Sequence, residues 1–509
     1  MTELATPPVE KDQDVKRISH WIGGRVVEGQ SGRNGPVYNP ALGRQTGEVD
    51  FATREEIDLA VQTAREAFPA WRAMSLSKRT ALFFAIRELF DHHREDIARL
   101  LTAEHGKVLS DALGEVARGL EVIEYCCGIP ELLKGEFSEQ ASTGIDVYSI
   151  RQPLGVVAGI TPFNFPAMVP MWMWAPALAC GNTFVLKPSE KDPSASVYTA
   201  ELLKAAGVPD GVFNVVHGDK VAVDSVLEHP DIAAVSFVGS TPIARYVYET
   251  GTKTGKRVQA LGGAKNHMIV LPDADIEMAA DAAVSAAYGS AGERCMAISQ
   301  VVAVGDAADR LVKAIEDRLP NIKVGNGLEA DVEMGPLVTR EHRDKVASYI
   351  EGAREQGADV VADGRENTPE GDGFFLGVSL LDNVTPEMDA YKDEIFGPVL
   401  GVTRVGTYDE AVQLVNDNPY GNGTAIFTRD GGVARQFQFD VQAGMVGINV
   451  PIPVPVAYYS FGGWKNSLFG DSHVYGPEGI NFYTRGKVVT SRWPDPATSK
   501  VDLGFPQTR

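Results

Sequence analysis

The chain has 509 residues, of which 44% are hydrophobic and 23% are charged, as is usual for a folded globular protein. These values exclude fibrous and disordered classes, and the length allows about three domains. The chain carries 47 basic and 68 acidic side chains, so its formal net charge is −21. So acidic a surface repels nucleic-acid backbones and anionic lipids, and the basic residues are scattered. Neither nucleic acid nor membrane is therefore an expected partner.

The sequence contains no recognisable membrane or export segment. No run reaches the roughly 18 uninterrupted apolar residues that span a bilayer. The most apolar stretch, Ala167 to Cys180, contains two prolines and is predicted to be a buried helix. Residues 1–16 are polar, lack an apolar signal core and are predicted to form a disordered tail. Four cysteines are too few for a disulfide framework, so a soluble, cytoplasmic protein is expected.

Three kinds of pattern follow one another along the chain. Apolar residues at three- and four-residue spacing predict helices from about Glu55 to Ile129. From Leu154, the apolar runs GVVAGI, NTFVLKP, FNVVHG and AAVSFVGS alternate with helical stretches, which is typical of a parallel α/β sheet. After Gly262 a second series has strands HMIVLP, QVVAVG, VLGVTRV and GTAIFTR, with helices near 276–288, 306–318, 339–355, 409–416 and 431–440. With a last strand in GKVVTSRW, the sequence predicts two doubly wound domains plus helical and terminal additions.

The stretch GSAGERCM contains a candidate nucleophile. Cys295 follows a Gly-containing turn and directly follows Arg294, whose positive charge favours a thiolate. A lone cysteine is more often a small buried apolar residue, and on these residues alone the two interpretations are about equal. The other three cysteines lie in apolar surroundings and are interpreted as structural.

Three predicted strands end in residues that suit ligand binding. In TPFNFP the Asn164 amide could donate to an oxyanion. In LKPSE, Lys187 and Glu190 could bind ribose hydroxyls at the mouth of a parallel sheet. The turn in FVGST could offer backbone N–H groups to a pyrophosphate. Taken singly, each is more simply an ordinary turn or loop, and neither GxGxxG nor GxxxxGK[ST] occurs.

Seven motifs occur in order along the chain: TPFNFP, LKPSE, FVGST, LGG, GERC, EIFGP and FGGWK. From about Ile18 to Trp493 the sequence thereby resembles the NAD(P)-dependent aldehyde dehydrogenase superfamily. The resemblance implies an α/β fold with two doubly wound parallel-sheet domains and a β-hairpin oligomerisation arm. The implied NAD-binding domain covers residues 17–139 and 156–262, the catalytic domain 263–470, and the arm 140–155 and 471–509.

The resemblance also implies roles for individual residues. Cys295 is the expected nucleophile, and Asn164 with the Cys295 backbone N–H is expected to stabilise the oxyanion. No metal is expected, and NAD is favoured over NADP because Glu190 would repel a 2′-phosphate. The second glycine of the pyrophosphate turn is replaced by Ala244, which is small enough for the helix to pack and the cofactor to bind. The expected cofactor contacts are Thr161, Phe163, Lys187, Ser189, Glu190, Gly239, Ser240, Glu394 and Phe396.

One departure from the superfamily bears on the reaction. Most members have Glu before LGG, where it activates water against the thioacyl enzyme, and the aligned residue here is Ala260. Without a base, water is a poor nucleophile, and the thioester should persist until a thiol arrives. The sequence therefore predicts acyl transfer to coenzyme A. The alternative is a hydrolytic aldehyde or semialdehyde dehydrogenase that uses another base, for which Glu293 is the nearest carboxylate to the nucleophile.

The segments LGGAKNHMIV, GERCMA and FGGWKNSLFGD resemble one branch in particular, the CoA-acylating methylmalonate-semialdehyde dehydrogenases, which also take malonate semialdehyde. The branch implies that NAD and coenzyme A convert the semialdehyde, by oxidative decarboxylation, to propionyl-CoA or acetyl-CoA, CO2 and NADH. It also implies a homotetramer built as a dimer of dimers. A positively charged side chain is expected to bind the substrate carboxylate, and Arg118 and Arg294 are the candidates. Phe163 is expected to be a further substrate contact. A non-catalytic scaffold that kept the fold is the competing class.

Overall fold

The computed structural model describes residues 15–494, 496–497 and 501. Of the tail predicted over residues 1–16, all but the last two residues lie outside the described part, and Lys16 begins a strand. Strands β1, β5 and β4 form a small sheet, while β2 and β3 join the first large sheet. The first five strands are β1 (Lys16–Ile18), β2 (His20–Ile22), β3 (Arg25–Val27), β4 (Asn34–Asn39) and β5 (Arg44–Asp50).

Five helices follow, as predicted for residues 55–129. Thr53 caps the first through a capping box with Glu56, and Ser75 caps the second. Gly106, at a φ of 98°, ends the third in the left-handed conformation that glycine adopts without strain. The helices are α1 (Arg54–Ala73), α2 (Leu76–His92), α3 (Arg94–His105), α4 (Leu109–Cys127) and α5 (Ile129–Leu132).

The next segment contains the first predicted α/β series. All twelve residues of its first helix, α6, are buried, as expected for the apolar stretch noted in the sequence. The elements are β6 (Phe137–Ser142), β7 (Ile145–Pro153), β8 (Val156–Ile160), α6 (Met168–Ala179), β9 (Thr183–Lys187), α7 (Ser194–Ala205), β10 (Phe213–Val215), α8 (Lys220–Glu228), β11 (Ile232–Val238), α9 (Thr241–Lys253) and β12 (Arg257–Leu261).

The second series also has the predicted strands and helices, with two 3₁₀ turns, Gly289–Gly292 and Leu319–Asn321, between them. Its elements are β13 (Asn266–Val270), α10 (Ile276–Tyr288), β14 (Ile298–Val304), α11 (Ala307–Glu316), α12 (Arg340–Glu355), β15 (Asp359–Ala362), β16 (Ser379–Asp382), α13 (Asp389–Lys392), β17 (Val399–Val405), α14 (Tyr408–Asp417), β18 (Tyr420–Gly421), β19 (Gly423–Phe427), α15 (Gly431–Asp440) and β20 (Met445–Ile448). The chain ends in β21 (Trp464–Lys465), β22 (Leu468–Phe469), α16 (Gly476–Phe482) and β23 (Thr484–Arg492).

The first large sheet has eight strands in the order β22-β12-β11-β8-β9-β10-β2-β3. Strands β12, β11, β8, β9 and β10 are parallel. The chain runs from β8 outward through β9 to β10, and then returns to β11 on the other side of β8. The crevice between β8 and β11 is therefore a topological switch point, and α/β sheets bind ligands at the carboxyl ends of strands at such points.

The second large sheet has seven strands in the order β15-β16-β17-β14-β13-β19-β20. All neighbours are parallel except β15, which pairs antiparallel with β16. Val301 and Val302, on opposite faces of β14, are both fully buried, as expected where helices cover both sides of a sheet. The predicted pair of doubly wound domains is confirmed.

The third sheet, in the order β23-β7-β6, corresponds to the predicted arm. β7 and β23 pair along nine residues each, and Phe137 and Val488 on this sheet are 65% and 70% exposed. Before β23 the chain returns to the first domain, since β22 pairs with β12 and Tyr475 packs its ring against Trp172. No helix in the described residues is long and apolar enough to cross a bilayer.

Candidate active site

The edges of the two large sheets meet around the short link between β12 and β13. Residues following β8, β9 and β11 lie at the carboxyl edge of the first sheet, and Cys295 lies just before β14, at the amino edge of the second. The link joins these edges through two hydrogen bonds. The Gly263 N–H donates to Thr241 Oγ1 at 2.8 Å, and the Ala264 N–H donates to Glu394 Oε1 at 2.9 Å. Motifs distant in sequence are thereby assembled at one interface.

Cys295 is held by its own backbone. The turn before it contains two non-glycine residues with positive φ, Ser290 at 54° and Ala291 at 51°, a conformation that persists only where the surroundings impose it. The Cys295 carbonyl accepts hydrogen bonds from the side-chain amides of Asn266 at 2.9 Å and Asn422 at 3.2 Å. Sequence reasoning missed these two residues, although each stands at the amino end of a predicted strand of the same sheet.

The environment of the Cys295 thiol differs from expectation. Burial raises the pKa of the Cys295 thiol to about 12, and the nearby Glu394 carboxylate adds to that increase. Arg294 opposes the increase only weakly, because its guanidinium turns to Asp111 and donates from Nη2 to Oδ1 at 2.6 Å. Arg294 therefore acts in the predicted direction, lowering the pKa of the Cys295 thiol, but burial and Glu394 outweigh it. The thiol is protonated at neutral pH.

A cavity of about 350 Å³ opens in front of Cys295. It brings together the nucleophile and both predicted carboxylate-binding residues, Arg118 and Arg294. Apolar side chains, among them Phe165 and Trp172, form much of the remaining wall. Phe163, which was also predicted to contact substrate, does not line this cavity; Phe165, two residues further on, takes that place.

One face of α4 contributes three charged residues to the cavity. Asp111, Glu115 and Arg118 are spaced by four and three residues, so they lie on the same side of the helix. Arg118 pairs with Glu121 through two contacts, at 3.0 and 2.8 Å, and donates to the Pro455 carbonyl at 2.9 Å. Its guanidinium is therefore held in place beside the cavity.

A buried ion pair supports the loop that carries Asn164. Lys107 Nζ donates to Glu115 Oε2 at 2.6 Å and to the Asn164 carbonyl at 2.6 Å. Glu115 Oε1 accepts from the backbone N–H groups of Ala167 and Met168. Both charged side chains are fully buried, whereas the Asn164 side-chain amide has no partner among the described residues. Sequence reasoning missed this pair, although a carboxylate on the apolar face of α4 was a usable signal.

The predicted adenosine-ribose residues lie together at the ends of β8 and β9. Lys187 Nζ is 3.5 Å from Glu190 Oε2, and burial lowers the pKa of Lys187. Ser189 Oγ accepts from the Lys191 N–H at 3.0 Å. Thr161 Oγ1 is buried without a hydrogen-bond partner among the described residues. These polar groups leave donors and acceptors available at the edge where a ligand is expected.

The predicted pyrophosphate turn lies on the other side of the switch point. Gly239 follows β11, and its N–H donates to the Leu261 carbonyl at 3.1 Å. Ser240 caps α9, but its side chain makes no capping hydrogen bond, so the first N–H groups of this helix have no side-chain partner from it. Ala244 is fully buried, which confirms that α9 packs with alanine in place of glycine.

Glu394 and Phe396 border the space around Cys295 from the second sheet. Burial raises the pKa of Glu394 to about 7. The Glu394 carboxylate packs directly against Gly263, since a Cβ there would lie 2.2 Å from Glu394 Oε2. The ring of Phe163 packs edge-on against Phe396, with centroids 5.9 Å apart. Phe163 therefore belongs to the Phe396 side of the site.

These features fit a dinucleotide such as NAD. The Thr161 hydroxyl is an orphaned polar group, and the α9 N-terminus favours an anion. Each is at the carboxyl edge of the first sheet or directly faces it. We infer this fit from the residues that the structure describes.

The two residues on which the choice between hydrolysis and acyl transfer depends are both buried. Ala260 lies in β12, paired in register with Phe237 on one side and Phe469 on the other, and it is fully buried. It does not line the cavity at Cys295. Its position is apolar and contains no group able to take a proton from water.

Glu293, the predicted alternative base, points elsewhere. Its Oε2 is 3.7 Å from His105 Nε2, and its Oε1 is 3.8 Å from His342 Nε2. Burial raises the pKa of Glu293 well above its usual range, which favours the neutral carboxyl over the carboxylate that a general base requires. It does not line either space next to Cys295. The position of Glu293, away from both spaces and facing two histidines, does not favour a role as the base that activates water beside Cys295.

Comparison with known proteins supports the architecture. The pattern that defines the aldehyde dehydrogenase family matches residues 26–489. The malonate-semialdehyde dehydrogenase of Pseudomonas aeruginosa is 54% identical over 493 residues, covering 96% of this chain and 99% of that protein. The solved structure of methylmalonate-semialdehyde dehydrogenase from Oceanimonas doudoroffii has a TM-score of 0.94 at 53% identity, covering 95% of this chain and 99% of that one. A methylmalonate-semialdehyde dehydrogenase candidate from Sinorhizobium meliloti, solved with NAD, also has a TM-score of 0.94, at 52% identity, covering 96% of this chain and 100% of that one.

Proposed function

The chain belongs to the aldehyde dehydrogenase family, and we propose from this membership that it is an NAD-dependent, CoA-acylating dehydrogenase of methylmalonate and malonate semialdehyde. The observation that carries the proposal is the cavity in which Cys295, Arg118 and Arg294 meet. A small aldehyde that also bears a carboxylate places its two functional groups against complementary residues there. The similar proteins named for these two semialdehydes support the same substrate class.

The first chemical task belongs to Cys295. The thiol first loses its proton to solvent in the cavity, and the resulting thiolate sulfur attacks the aldehyde carbon to form a carbon–sulfur bond and an oxyanion. The Asn164 amide and the Cys295 N–H are the proposed donors to the resulting oxyanion, and such donors act strongly in a water-poor site. The residues at the ends of β8, β9 and β11 would hold NAD, which would supply the hydride acceptor for this step. The product of this half-reaction is a thioester on Cys295.

The second task is loss of CO2 and transfer to coenzyme A. When a carboxylate lies β to a thioester carbonyl, the bond between the carboxylate and the α carbon can break and release CO2. The electrons of that bond form an enolate, which the same oxyanion donors stabilise. Protonation of the enolate carbon gives an acetyl or propionyl thioester. The thiolate of coenzyme A then attacks the carbonyl and releases Cys295. Without a protein base, a thiol attacks the thioester faster than water does, because part of it is already thiolate. The buried position of Ala260 provides no such base.

We propose that the first large sheet and its helices (17–139 and 156–262) bind NAD through Thr161, Phe163, Lys187, Ser189, Glu190, Gly239, Ser240, Glu394 and Phe396. We also propose that residues 263–470 form the catalytic domain, apart from β22, which joins the first sheet beside β12. The exposed apolar side chains of the β23-β7-β6 sheet, such as Phe137 and Val488, support a homo-oligomer, for which a tetramer is proposed. The four cysteines are unpaired, which suits the cytoplasm as the proposed location. Light scattering and cell fractionation test the last two proposals.

The decisive experiment measures NADH formation from malonate semialdehyde with and without coenzyme A, and identifies the acyl product. We expect sustained turnover only with coenzyme A, and acetyl-CoA as the product. Sustained turnover without coenzyme A, with a free acid as product, would contradict the acylating assignment and support the hydrolytic alternative. In that case Glu394, whose pKa is about 7 and which borders the space around Cys295, is the carboxylate to test first, with Glu293→Gln as the comparison.

A further inference from the structure

We propose that Asp111 is a positioning residue that holds the Arg294 guanidinium ready for the substrate carboxylate, and thereby sets the preference for aldehydes that carry an acid group. The inference rests on the proposed function, which assigns Arg294 to that carboxylate. It adds a residue that does not itself bind substrate. Asp111 lies in the first turn of α4, four residues before Glu115 and seven before Arg118, on the face that lines the cavity.

The contact between the two side chains is short and sheltered. Arg294 Nη2 donates to Asp111 Oδ1 at 2.6 Å, and the two side chains are only 20% and 17% exposed. A charge-assisted hydrogen bond at this distance is among the strong ones, and limited exposure reduces screening by solvent. Asp111 therefore restrains one end of the guanidinium.

Gly289 restrains the same guanidinium sterically. A Cβ placed on Gly289 would lie 2.5 Å from Nη1, 2.6 Å from Cζ and 2.7 Å from Nη2 of Arg294. The guanidinium therefore lies directly against the Gly289 backbone, in space that any other residue would fill. The guanidinium thus packs between this backbone surface and the Asp111 carboxylate.

The restrained guanidinium keeps most of its hydrogen-bonding capacity. Arginine has five N–H donors, and Asp111 engages only Nη2. No other described residue accepts a side-chain hydrogen bond from Arg294. Because Arg294 borders the cavity in front of Cys295, the unused donors are available to a carboxylate there. Prior ordering of a long side chain lowers the entropy cost of that contact.

Without Asp111, the Arg294 side chain would be free to turn toward a second cavity. Asp111 and Arg294 also line a second cavity, of about 510 Å³, on the other side of the pair. Its lining includes two further carboxylates, Asp281 and Glu333. Asp281 already pairs with Arg318, which also lines this cavity, so Glu333 is the carboxylate toward which a released guanidinium would turn. The Asp111–Arg294 pair borders both cavities.

The test compares two aldehydes of similar size, malonate semialdehyde and propanal, on the Asp111→Ala enzyme with NAD and coenzyme A. We expect kcat/KM for malonate semialdehyde to fall about tenfold or more, chiefly through KM, the effect of losing one well-placed charged contact. For propanal, which has no carboxylate, the change should be no more than about threefold. Asp111→Asn keeps an oxygen acceptor at the same place and is expected to restore much of the preference.

A second route perturbs Arg294 from its other side and does not alter α4. In Gly289→Ala the added methyl occupies the space of the guanidinium, so the ratio of kcat/KM for the two aldehydes should change in the same direction as in Asp111→Ala. This variant keeps the inference testable if Asp111→Ala does not fold. The matched control is Asp281→Ala, which removes a carboxylate that lines the second cavity and pairs with Arg318 at 2.5 Å. It should leave the ratio unchanged.

The outcomes separate the two proposals. If the wild-type enzyme shows no preference for malonate semialdehyde over propanal, the proposed substrate class fails. If the wild-type enzyme has the preference and both Asp111→Ala and Gly289→Ala keep it, the positioning role of Asp111 is overturned. A lower KM for malonate semialdehyde in Asp111→Ala would also overturn it, since Asp111 would then be a competitor of the substrate for Arg294.

Discussion

Replacement of Lys107 by methionine tests how the loop that carries Asn164, the proposed oxyanion donor, is held in place. The substitution keeps an unbranched side chain of similar length but removes the ammonium that joins Glu115 to the Asn164 carbonyl, with both contacts at 2.6 Å. Breaking a buried ion pair by removing one partner typically costs about 3–5 kcal/mol, because the other charge remains buried. Glu115 keeps two backbone N–H donors, from Ala167 and Met168, so the lower end of that range is expected.

The same substitution should slow catalysis. Loss of one oxyanion donor costs about 10²–10³ in kcat, and Lys107→Met displaces such a donor without removing it, so that loss is the upper limit. We expect kcat for malonate semialdehyde to fall by about tenfold to a hundredfold, with a smaller change in the Kd for NAD. Steady-state kinetics with saturating coenzyme A measure the first quantity, and fluorescence titration measures the second.

A double-mutant cycle shows whether Lys107 acts through Asn164. If it does, Lys107→Met should add little to the effect of Asn164→Ala, because the donor that it positions is already absent. Lys256→Met is the matched control, since Lys256 is also buried and donates to two backbone carbonyls, those of His229 and Ile232, outside the site. It should lower stability and leave kcat near the wild-type value. A folded Lys107→Met enzyme with wild-type kcat would refute the reasoning.

Three further predictions concern titratable groups at the site. Without NAD, the rate of Cys295 alkylation should rise about tenfold per pH unit between pH 7 and 9, because a thiol with a pKa of about 12 is almost wholly protonated there. An alkylation rate that does not change with pH above 7 would contradict the raised pKa. The Glu394 carboxyl, with a pKa of about 7, ionises as the pH rises from 6 to 8, so NAD should bind more tightly across that interval in calorimetry, and Glu394→Gln should remove the pH dependence. Burial raises the pKa of Glu293 in the folded state, so the folded protein loses stability as the pH rises above the pKa that Glu293 has in the unfolded chain. Glu293→Gln should therefore unfold at a higher denaturant concentration than wild type at pH 8. Its turnover should still depend on coenzyme A.

The architecture was predictable because its signals are local. Buried strands that alternate with amphipathic helices identify a parallel α/β sheet wherever they occur, and the two large sheets have the strands that were expected. Short motifs at the strand ends carried enough pattern to resemble one family, and residues 26–489 match it. Thr161, Lys187 and Gly239 lie at the carboxyl edge of one sheet because parallel strands end on the same side.

Contacts between distant segments were beyond the reach of sequence patterns. Lys107 meets the carbonyl of Asn164, which is 57 residues away, and Asn422 meets the carbonyl of Cys295, which is 127 residues away. No local periodicity encodes such pairs, since they depend on how helices and strands are placed against one another. The same limit explains Phe163 and Phe165, whose places in the site depend on how the loop after β8 is folded.

The sequence by itself predicted the order of the α/β elements and the family, and it singled out Cys295 and the two arginines that line one cavity with it. Only the tertiary structure decided the electrostatics of these groups. Arg294 is next to Cys295 in the chain, yet its charge is taken by Asp111, and burial keeps the thiol protonated. Glu293 is equally close in sequence, yet it faces His105 and His342 in a closed interior. Residues that are neighbours in the sequence can point their side chains to different parts of the structure. The effect of a charged side chain on a nearby pKa depends on its distance and on exposure to water, which only the tertiary structure sets.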